Sequence, residues 1–490
     1  MASFKSRRAI KRTVTAMQNA QHYAEWLDAA ESHDQLTGMD DWRAEDESRD
    51  YDYALIKSRL SELRRLRKKG DVSRLVFALH EGLHGNLGNM ANGRLYDHSL
   101  VGTKFLLEQY IEEVATSLNY LCDTDFEGFP LGEKLKFFKR TGMSFGRSAL
   151  LLSGGATLGM FHIGVLRALW LENLLPRVIS GSSAGSIIAA VAGTHSDEEL
   201  EKIFDPEYLY LQAWQTSGLK GVMKAGALFD GRVLQQCIRA NVGDLTFEEG
   251  FELSGRIINI TVSPATPNQH SRLLNFLASP NVLIRRASLA SCAIPGVFPA
   301  VTLKAKDYNG KIVNYMPNAK WVDGSLRSDL PMLRLSRFHN VNHYIVSQTN
   351  PHVVPLLTDE SRKGVLPLAR DIVTNSSRNA IDLARHHLGG DGLIGTVHSV
   401  TNQKYRGDIN VFPRYSPSKL AKIFSNPTPD DIRGYITDGE RETWPQIARI
   451  RNATRISKAF EDCLQRLKAR QYGEEFRSRR TTDQRRSKRR

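Results

Sequence analysis

Three short segments of this chain carry residues able to do ester chemistry. In the first, Gly181-Ser182-Ser183-Ala184-Gly185, a serine stands between two glycines. The apolar run Val178-Ile179 leads into it, and a stretch rich in Ile and Ala follows from Ser186. A sharp turn between a strand and a helix lifts the central hydroxyl clear of the sheet edge, and the flanking glycines let the backbone close up. The helix behind such a turn aims its amide N–H groups and positive dipole end at the same spot. Ser183 is therefore a candidate nucleophile, with Gly181 and Gly185 supporting its turn.

The second segment is Ser153-Gly154-Gly155-Ala156-Thr157-Leu158-Gly159, which follows the apolar run Ala149 to Leu152. A glycine-rich turn there exposes backbone N–H groups. They can cradle a phosphate, hold the oxyanion of an acyl-transfer intermediate, or serve only helix packing. No Gly-Lys-Ser/Thr follows, which excludes a Walker loop. The loop and Ser183 end strands that are consecutive in the chain, and neighbouring strand ends converge. This favours the oxyanion reading, with Gly154, Gly155, Ala156 and Gly159 as the lining.

The third segment is Trp321-Val322-Asp323-Gly324-Ser325, a strand that runs into an aspartate and turns at Gly324. A serine nucleophile needs a base. His162, His195, His339, His343 and His352 are available, but none sits in a distinctive turn after a strand. A carboxylate within about 3 Å can take the hydroxyl proton directly, which makes Asp323 the candidate base. Two alternatives stand beside this: a Ser-Asp-His triad through His343 or His352, and a catalytically weak lipid-binding or scaffold protein.

Positioning these residues requires a particular order of elements. Residues 149 to about 190 read as strand, loop, helix, strand, turn, helix, with Met160, Ile163, Leu166 and Leu169 on one face of the first helix. That is a βαβ unit, and hence a parallel sheet. Further strands are expected at Ile257 to Val262, Lys320 to Val322, Tyr344 to Val346 and Ile409 to Phe412. Ahead of this lies a helical region. Leu55, Ile56, Leu60, Leu63 and Leu66 recur at helical spacing, as do Leu106, Leu107, Tyr110, Ile111, Val114 and Leu118, with a Gly/Asn-rich break from Gly82 to Gly93. The expected division is a basic N-terminus and helical domain over 1–145, an α/β core over 146–355, a mainly helical extension over 356–472 and a disordered basic tail over 473–490.

The chain has 490 residues, 41% of them hydrophobic, enough for two or three domains with a sizeable core. No stretch reaches the roughly 18 uncharged apolar residues of a membrane span. The first residues lack the apolar core of a secretory signal. Cys122, Cys237, Cys292 and Cys463 lie far apart and form no C-x-x-C pair, so they read as reduced, buried thiols rather than zinc ligands. Much of the net charge of +14 sits at the two ends, from Lys5 to Arg12 and from Arg477 to Arg490. Such ends are solvated tails, or they are drawn to anionic lipid head groups at about 1 kcal/mol per basic residue. They lack interleaved aromatics, so a nucleic-acid partner is not expected. The expected location is cytoplasmic, free or peripheral on a membrane, with no metal and no cofactor.

Together the three segments resemble the patatin-like phospholipases, which join a glycine-rich oxyanion loop, a G-x-S-x-G turn and a D-G aspartate in this order. The resemblance implies a three-layer α/β core with a mostly parallel central sheet. It implies a dyad of Ser183 and Asp323, with Gly154, Gly155, Ala156 and Gly159 in the oxyanion loop and Gly324 behind the aspartate. Two residues depart from the family loop, usually D-G-G-G-x-R-G: Ala156 stands for its third glycine and Leu158 for its arginine. Alanine offers its amide easily only at an ordinary φ. The lost charge shifts the expected substrate from phospholipid towards neutral acylglycerol.

A longer resemblance runs from about Trp26 to about Trp444, to the fungal and plant triacylglycerol lipases of lipid droplets. It is carried by Gly102-Thr103-Lys104, Phe145-Gly146-Arg147, Phe161 to Val165, Ser288 to Pro299, Val341 to Pro351 and Gly407-Asp408-Ile409. It implies an acylglycerol substrate, with phospholipid hydrolysis or acyl transfer as variants, and a helical domain of unknown function ahead of the core. The resemblance implies peripheral contact with a lipid-droplet surface; the chain is shorter than those proteins, which leaves a bacterial relative open. His386 to Asp391 matches an H-x-x-x-x-D acyltransferase pattern, but two fixed residues recur by chance, and the string reads as a surface loop.

Overall fold

The computed structural model describes residues 4–217, 227–266, 269–351, 353–354 and 405–487. The chain divides into two compact units, Ser148–Gln446 and, outside it in sequence, Met1–Arg147 with Ile447–Arg490.

The first unit is built on a seven-stranded sheet. Its strands are β1 (Arg147–Leu152), β2 (Val178–Gly181), β3 (Ile257–Pro264), β4 (Arg272–Leu274), β7 (Trp321–Asp323), β8 (Val341–Ser347) and β9 (Ile409–Val411). Two more, β5 (Lys304–Lys306) and β6 (Ile312–Asn314), form a separate antiparallel pair. The order across the main sheet is β4-β3-β2-β1-β8-β9, with β7 also on β3. Strands β1, β2 and β3 are parallel, in the register Leu152↔Gly181 and Gly181↔Ile260. β8 and β9 are parallel too. β1, β2 and β3 are buried on both faces, which is why they read as near-continuous apolar runs rather than alternating ones.

The βαβ reading of residues 149–190 thus holds, and the predicted strands form within three residues of their expected bounds. One expectation is corrected. The strand at Trp321 was placed with the parallel set, but β7 runs antiparallel to β3, with Val262 opposite Asp323. Three residues carry no directional signal, and pairing alone decides their sense.

The stretch beyond β8 is also not one helical extension. β9 and the helix Pro429–Thr443 belong to the α/β unit, while the helix Ile447–Ser487 belongs to the other. That last helix runs through most of the tail expected to be disordered; its Arg, Glu and Gln residues are good helix formers. Residues 355–404, which include the His386 to Asp391 string, lie outside the described residues, as does His352.

The second unit is helical. Ile56, Leu60, Leu63 and Leu66 of the helix Tyr53–Lys69 are buried, whereas Leu55 is exposed. They meet Leu107, Tyr110, Val114 and Leu118 of the helix Phe105–Asp123, and Ile456, Phe460 and Leu467 of the final helix. Glu113 is buried in this unit and paired with Arg67 through two hydrogen bonds of 2.7 and 3.0 Å. Cys122 and Cys463 are free, buried thiols in the same core. The basic opening segment is helical from Phe4 to Asn19.

In the α/β unit the helix Phe161–Leu171, which follows the glycine loop, packs against Pro429–Thr443 with backbones almost touching. A Cβ on Gly164 would collide with the carbonyl of Ile436, and one on Gly439 would lie 2.9 Å from the Cα of Gly164. Gly164→Val should therefore cost about 3 kcal/mol or more, read as a lower unfolding midpoint in urea. Gly434→Ala on the same helix meets nothing within 4 Å and should stabilise by roughly 0.5–1 kcal/mol. Equal effects of the two changes would refute the close crossing.

Candidate active site

The turn after β2 holds Ser183 at φ +49° and ψ −125°, a left-handed conformation that L residues adopt only at a cost of about 1–3 kcal/mol. Its surroundings hold it there. The Ser183 N–H donates to Ser291 Oγ (3.0 Å), whose hydroxyl donates to the carbonyl of Thr261 (2.7 Å). The Ser183 carbonyl accepts from Ser186 N–H (2.8 Å) and Ser186 Oγ (2.6 Å). Gly181 and Gly185 are needed for room: a Cβ on the first would collide with the carbonyl of Gly185, and one on the second with that of Leu152. The helix Ala184–Thr194 begins immediately after.

Asp323 ends β7 and is fully buried. Oδ1 accepts the N–H of Ser325 at 2.7 Å. Oδ2 has no hydrogen-bond partner among the described residues. Burial pushes its pKa up to about 6, against the opposing pull of the Ser325 N–H and of the hydroxyls of Ser325 and Ser183. No hydrogen bond joins the Ser183 hydroxyl to Oδ2 among the described residues. Behind Asp323, a Cβ on Gly324 would collide with the carbonyl of Thr261, so no other residue lets β7 lie so close to β3.

The glycine loop lies against the same serine. A Cβ on Gly154 would sit 3.2 Å from Ser183 Cβ. The Gly154 N–H is engaged by Asp329 Oδ1 at 3.0 Å. Among the described residues the N–H groups of Gly155 and Ala156 have no acceptor. Ala156 takes φ +50°, the strained case for a residue with a Cβ. Gly159 sits where a Cβ would collide with Ala184. Leu158 is buried with Leu420 and Tyr435, flanked by Met160, Tyr415 and Ile423. An arginine there would place its charge in an apolar cluster, which gives the substitution a physical reason.

A pocket opens from Ser183. Ala156, Ile187, Val191, Trp214, Ile294 and Phe298 are among its predominantly apolar walls. Trp214 meets Phe229, Phe298 and Phe424 with ring centroids 5.2 to 5.5 Å apart.

Among the described residues no histidine is hydrogen-bonded to Ser183 or Asp323. His162 lies between Ser347 Oγ (2.7 Å) and the Ser153 carbonyl (3.0 Å), and burial lowers its pKa to about 4. His339 bonds to Asn259, His343 to Ser148 and His195 to the Val191 carbonyl. No cluster of three or more His, Cys, Asp or Glu side chains able to hold a metal occurs among the described residues. The sequence reading missed Asp329, Asn350, Ser291 and His162 as parts of the site. Their signals were weak: Asp329 is one more acidic residue past Asp323, and the serines are common small residues.

This combination of strained serine turn, buried aspartate and glycine loop on a mostly parallel sheet defines a patatin-type α/β protein. The patatin-like phospholipase family matches residues 150–335, and a domain of unknown function, DUF3336, matches residues 3–143. Over 92% of its length the chain is 35% identical to triacylglycerol lipase ptl3 of Schizosaccharomyces pombe, of which it covers 96%. It is 37% identical to triacylglycerol lipase SDP1L of Arabidopsis thaliana and 36% to triacylglycerol lipase 4 of Saccharomyces cerevisiae. It spans only 58% and 54% of those two proteins. The chain belongs to the patatin-like phospholipase family, in the branch that carries a DUF3336 domain ahead of the patatin domain.

A raised folded pKa means that Asp323 stabilises the fold below pH 4, where it is protonated in both states, and loses that contribution as pH rises through 6. Asp323→Asn should therefore stabilise the fold at pH 8 by on the order of 1–3 kcal/mol, read as a higher melting temperature, and the gain should vanish near pH 4. A gain that is flat with pH would contradict the buried-charge assignment.

Proposed function

We propose that this chain is a lipid acyl-ester hydrolase acting on neutral acylglycerols, with Ser183 as nucleophile and Asp323 as base. The observation that carries the reading is the vacant Oδ2 of a buried carboxylate beside a strained serine. That oxygen has acceptor capacity for the hydroxyl proton and no hydrogen-bond partner among the described residues.

In this mechanism Asp323 takes the Ser183 proton as Oγ attacks the ester carbonyl carbon. The carbonyl oxygen, now negative, is held by the N–H groups of Gly155 and Ala156, since that of Gly154 is bound to Asp329. Collapse expels the alcohol, which leaves with the proton from Asp323. Water then gives a proton to Asp323 and attacks the acyl-enzyme; the fatty acid departs, and Ser183 Oγ recovers its proton.

The apolar pocket suits an acyl chain, and the buried Leu158 removes the charge that the family loop offers. The relatives named triacylglycerol lipases point the same way. No helix among the described residues is long and apolar enough to cross a membrane. The reading is of an enzyme that meets its substrate peripherally, at a membrane or lipid-droplet surface, with the basic helix Phe4–Asn19 among the segments able to touch anionic lipid.

Triolein, diolein and phosphatidylcholine should be compared as emulsified substrates. Triolein is expected to be cleaved fastest, with an acid limb near pH 6 as Asp323 ionises. Ser183→Ala and Asp323→Asn should each lose about 10³-fold or more. A phosphatidylcholine preference would overturn the substrate class, and hydrolysis surviving Ser183→Ala would overturn the mechanism. A separate pair tests the loop: Ala156→Gly should keep activity, whereas Ala156→Pro, which removes the N–H and forbids φ +50°, should lose about 100-fold in kcat. Equal rates for the two would exclude an oxyanion role for this amide.

A further inference from the structure

We propose that Asp329, with Asn350, is a positioning residue that sets the glycine loop for oxyanion binding; this rests on the reading of Ser183 as the nucleophile. Asp329 follows the short helix Ser325–Ser328 and is 2% exposed. Oδ1 accepts the Gly154 N–H at 3.0 Å, and Oδ2 accepts Asn350 Nδ2 at 2.5 Å.

The consequence follows from peptide planarity. In a trans peptide the N–H and C=O point in opposite directions. The peptide joining Ser153 and Gly154 is held at both edges, by Asp329 on its N–H and by His162 on its carbonyl. The carbonyl of the next peptide is held by Thr349 Oγ1 (3.0 Å) and Ser153 Oγ (2.9 Å). Its N–H, that of Gly155, must therefore point the other way and has no acceptor among the described residues. The loop is thus fixed in a pose that leaves the Gly155 N–H unspent one residue past Gly154, which lies against Ser183.

The Gly154 N–H donates to one oxygen of Asp329 and Asn350 Nδ2 to the other, and only a group that accepts at both positions satisfies these two. An asparagine in its place would present an amide N–H₂ either to the Gly154 N–H or to Asn350 Nδ2. Burial pushes the Asp329 pKa up to about 7, the cost of keeping a carboxyl there. A group retained only for packing would not require it.

The full-length chain and a soluble p-nitrophenyl butyrate substrate test this. Asp329→Ala is expected to lower kcat by about 10- to 100-fold with KM within about twofold, because the loss falls on the transition state. Phosphonylation of Ser183 by a fluorophosphonate should slow in parallel. Asp329→Asn and Asn350→Asp should each be impaired. The double variant Asp329→Asn/Asn350→Asp restores one acceptor for Gly154 and one complementary pair, and should return kcat to within about fivefold of wild type.

Wild-type kcat in folded Asp329→Ala, or a loss carried by KM alone, would overturn the proposal. Should Asp329→Ala fail to fold, the swapped pair decides: no recovery of kcat over the single changes sinks the idea. Failure of the underlying reading looks different, since Ser183→Ala would then keep its labelling and its esterase rate.

Discussion

A carboxylate taken out of water gathers hydrogen-bond donors, and one that gathers too few is driven towards its protonated form. Among the described residues Asp323 receives a backbone N–H on one oxygen and no hydrogen bond on the other. Much of the α/β unit's local geometry surrounds that fact. β7 brings the aspartate in against β3 where Gly324 leaves room, and Ser291 links the backbone of Ser183 to the Thr261 carbonyl on the same strand. Serine and aspartate are thereby referred to one rigid strand rather than to two independent loops. A small shift of β3 moves both together, which preserves their separation.

The sequence was most informative where one rule acted alone. Buried parallel strands and amphipathic helices follow from apolar spacing, so β1, β2, β3 and the helices around Leu60 and Val114 were legible. The G-x-S-x-G turn was legible because strand, turn and helix constrain one another. The antiparallel sense of β7 was not, since three residues do not encode direction. Nor was the split of the C-terminal region, because a helix shows which face is apolar but not which core receives it. Asp329 and Asn350 escaped for a similar reason: they meet the loop only in three dimensions, and buried polar partners leave no periodic trace.

The two departures from the family loop have different physical characters. Leu158 is a change of environment, an apolar side chain in an apolar cluster, and it conflicts with nothing around it. Ala156 is a change of strain, since its φ of +50° is one that glycine adopts freely. Backbone strain of this kind persists where the surroundings over-determine a conformation, and here both neighbouring peptides on the Ser153 side are anchored.

The division of the chain has a bearing on how the protein is made. The helical unit is discontinuous: its core needs Ile456, Phe460 and Leu467, which leave the ribosome long after Leu60 and Val114. The α/β unit lies wholly between these two contributions. Vectorial synthesis therefore lets the hydrolase-like unit close first, while the earliest helices wait with apolar faces uncovered. The earlier helices of the helical unit are therefore completed only by residues that follow the whole α/β unit in sequence.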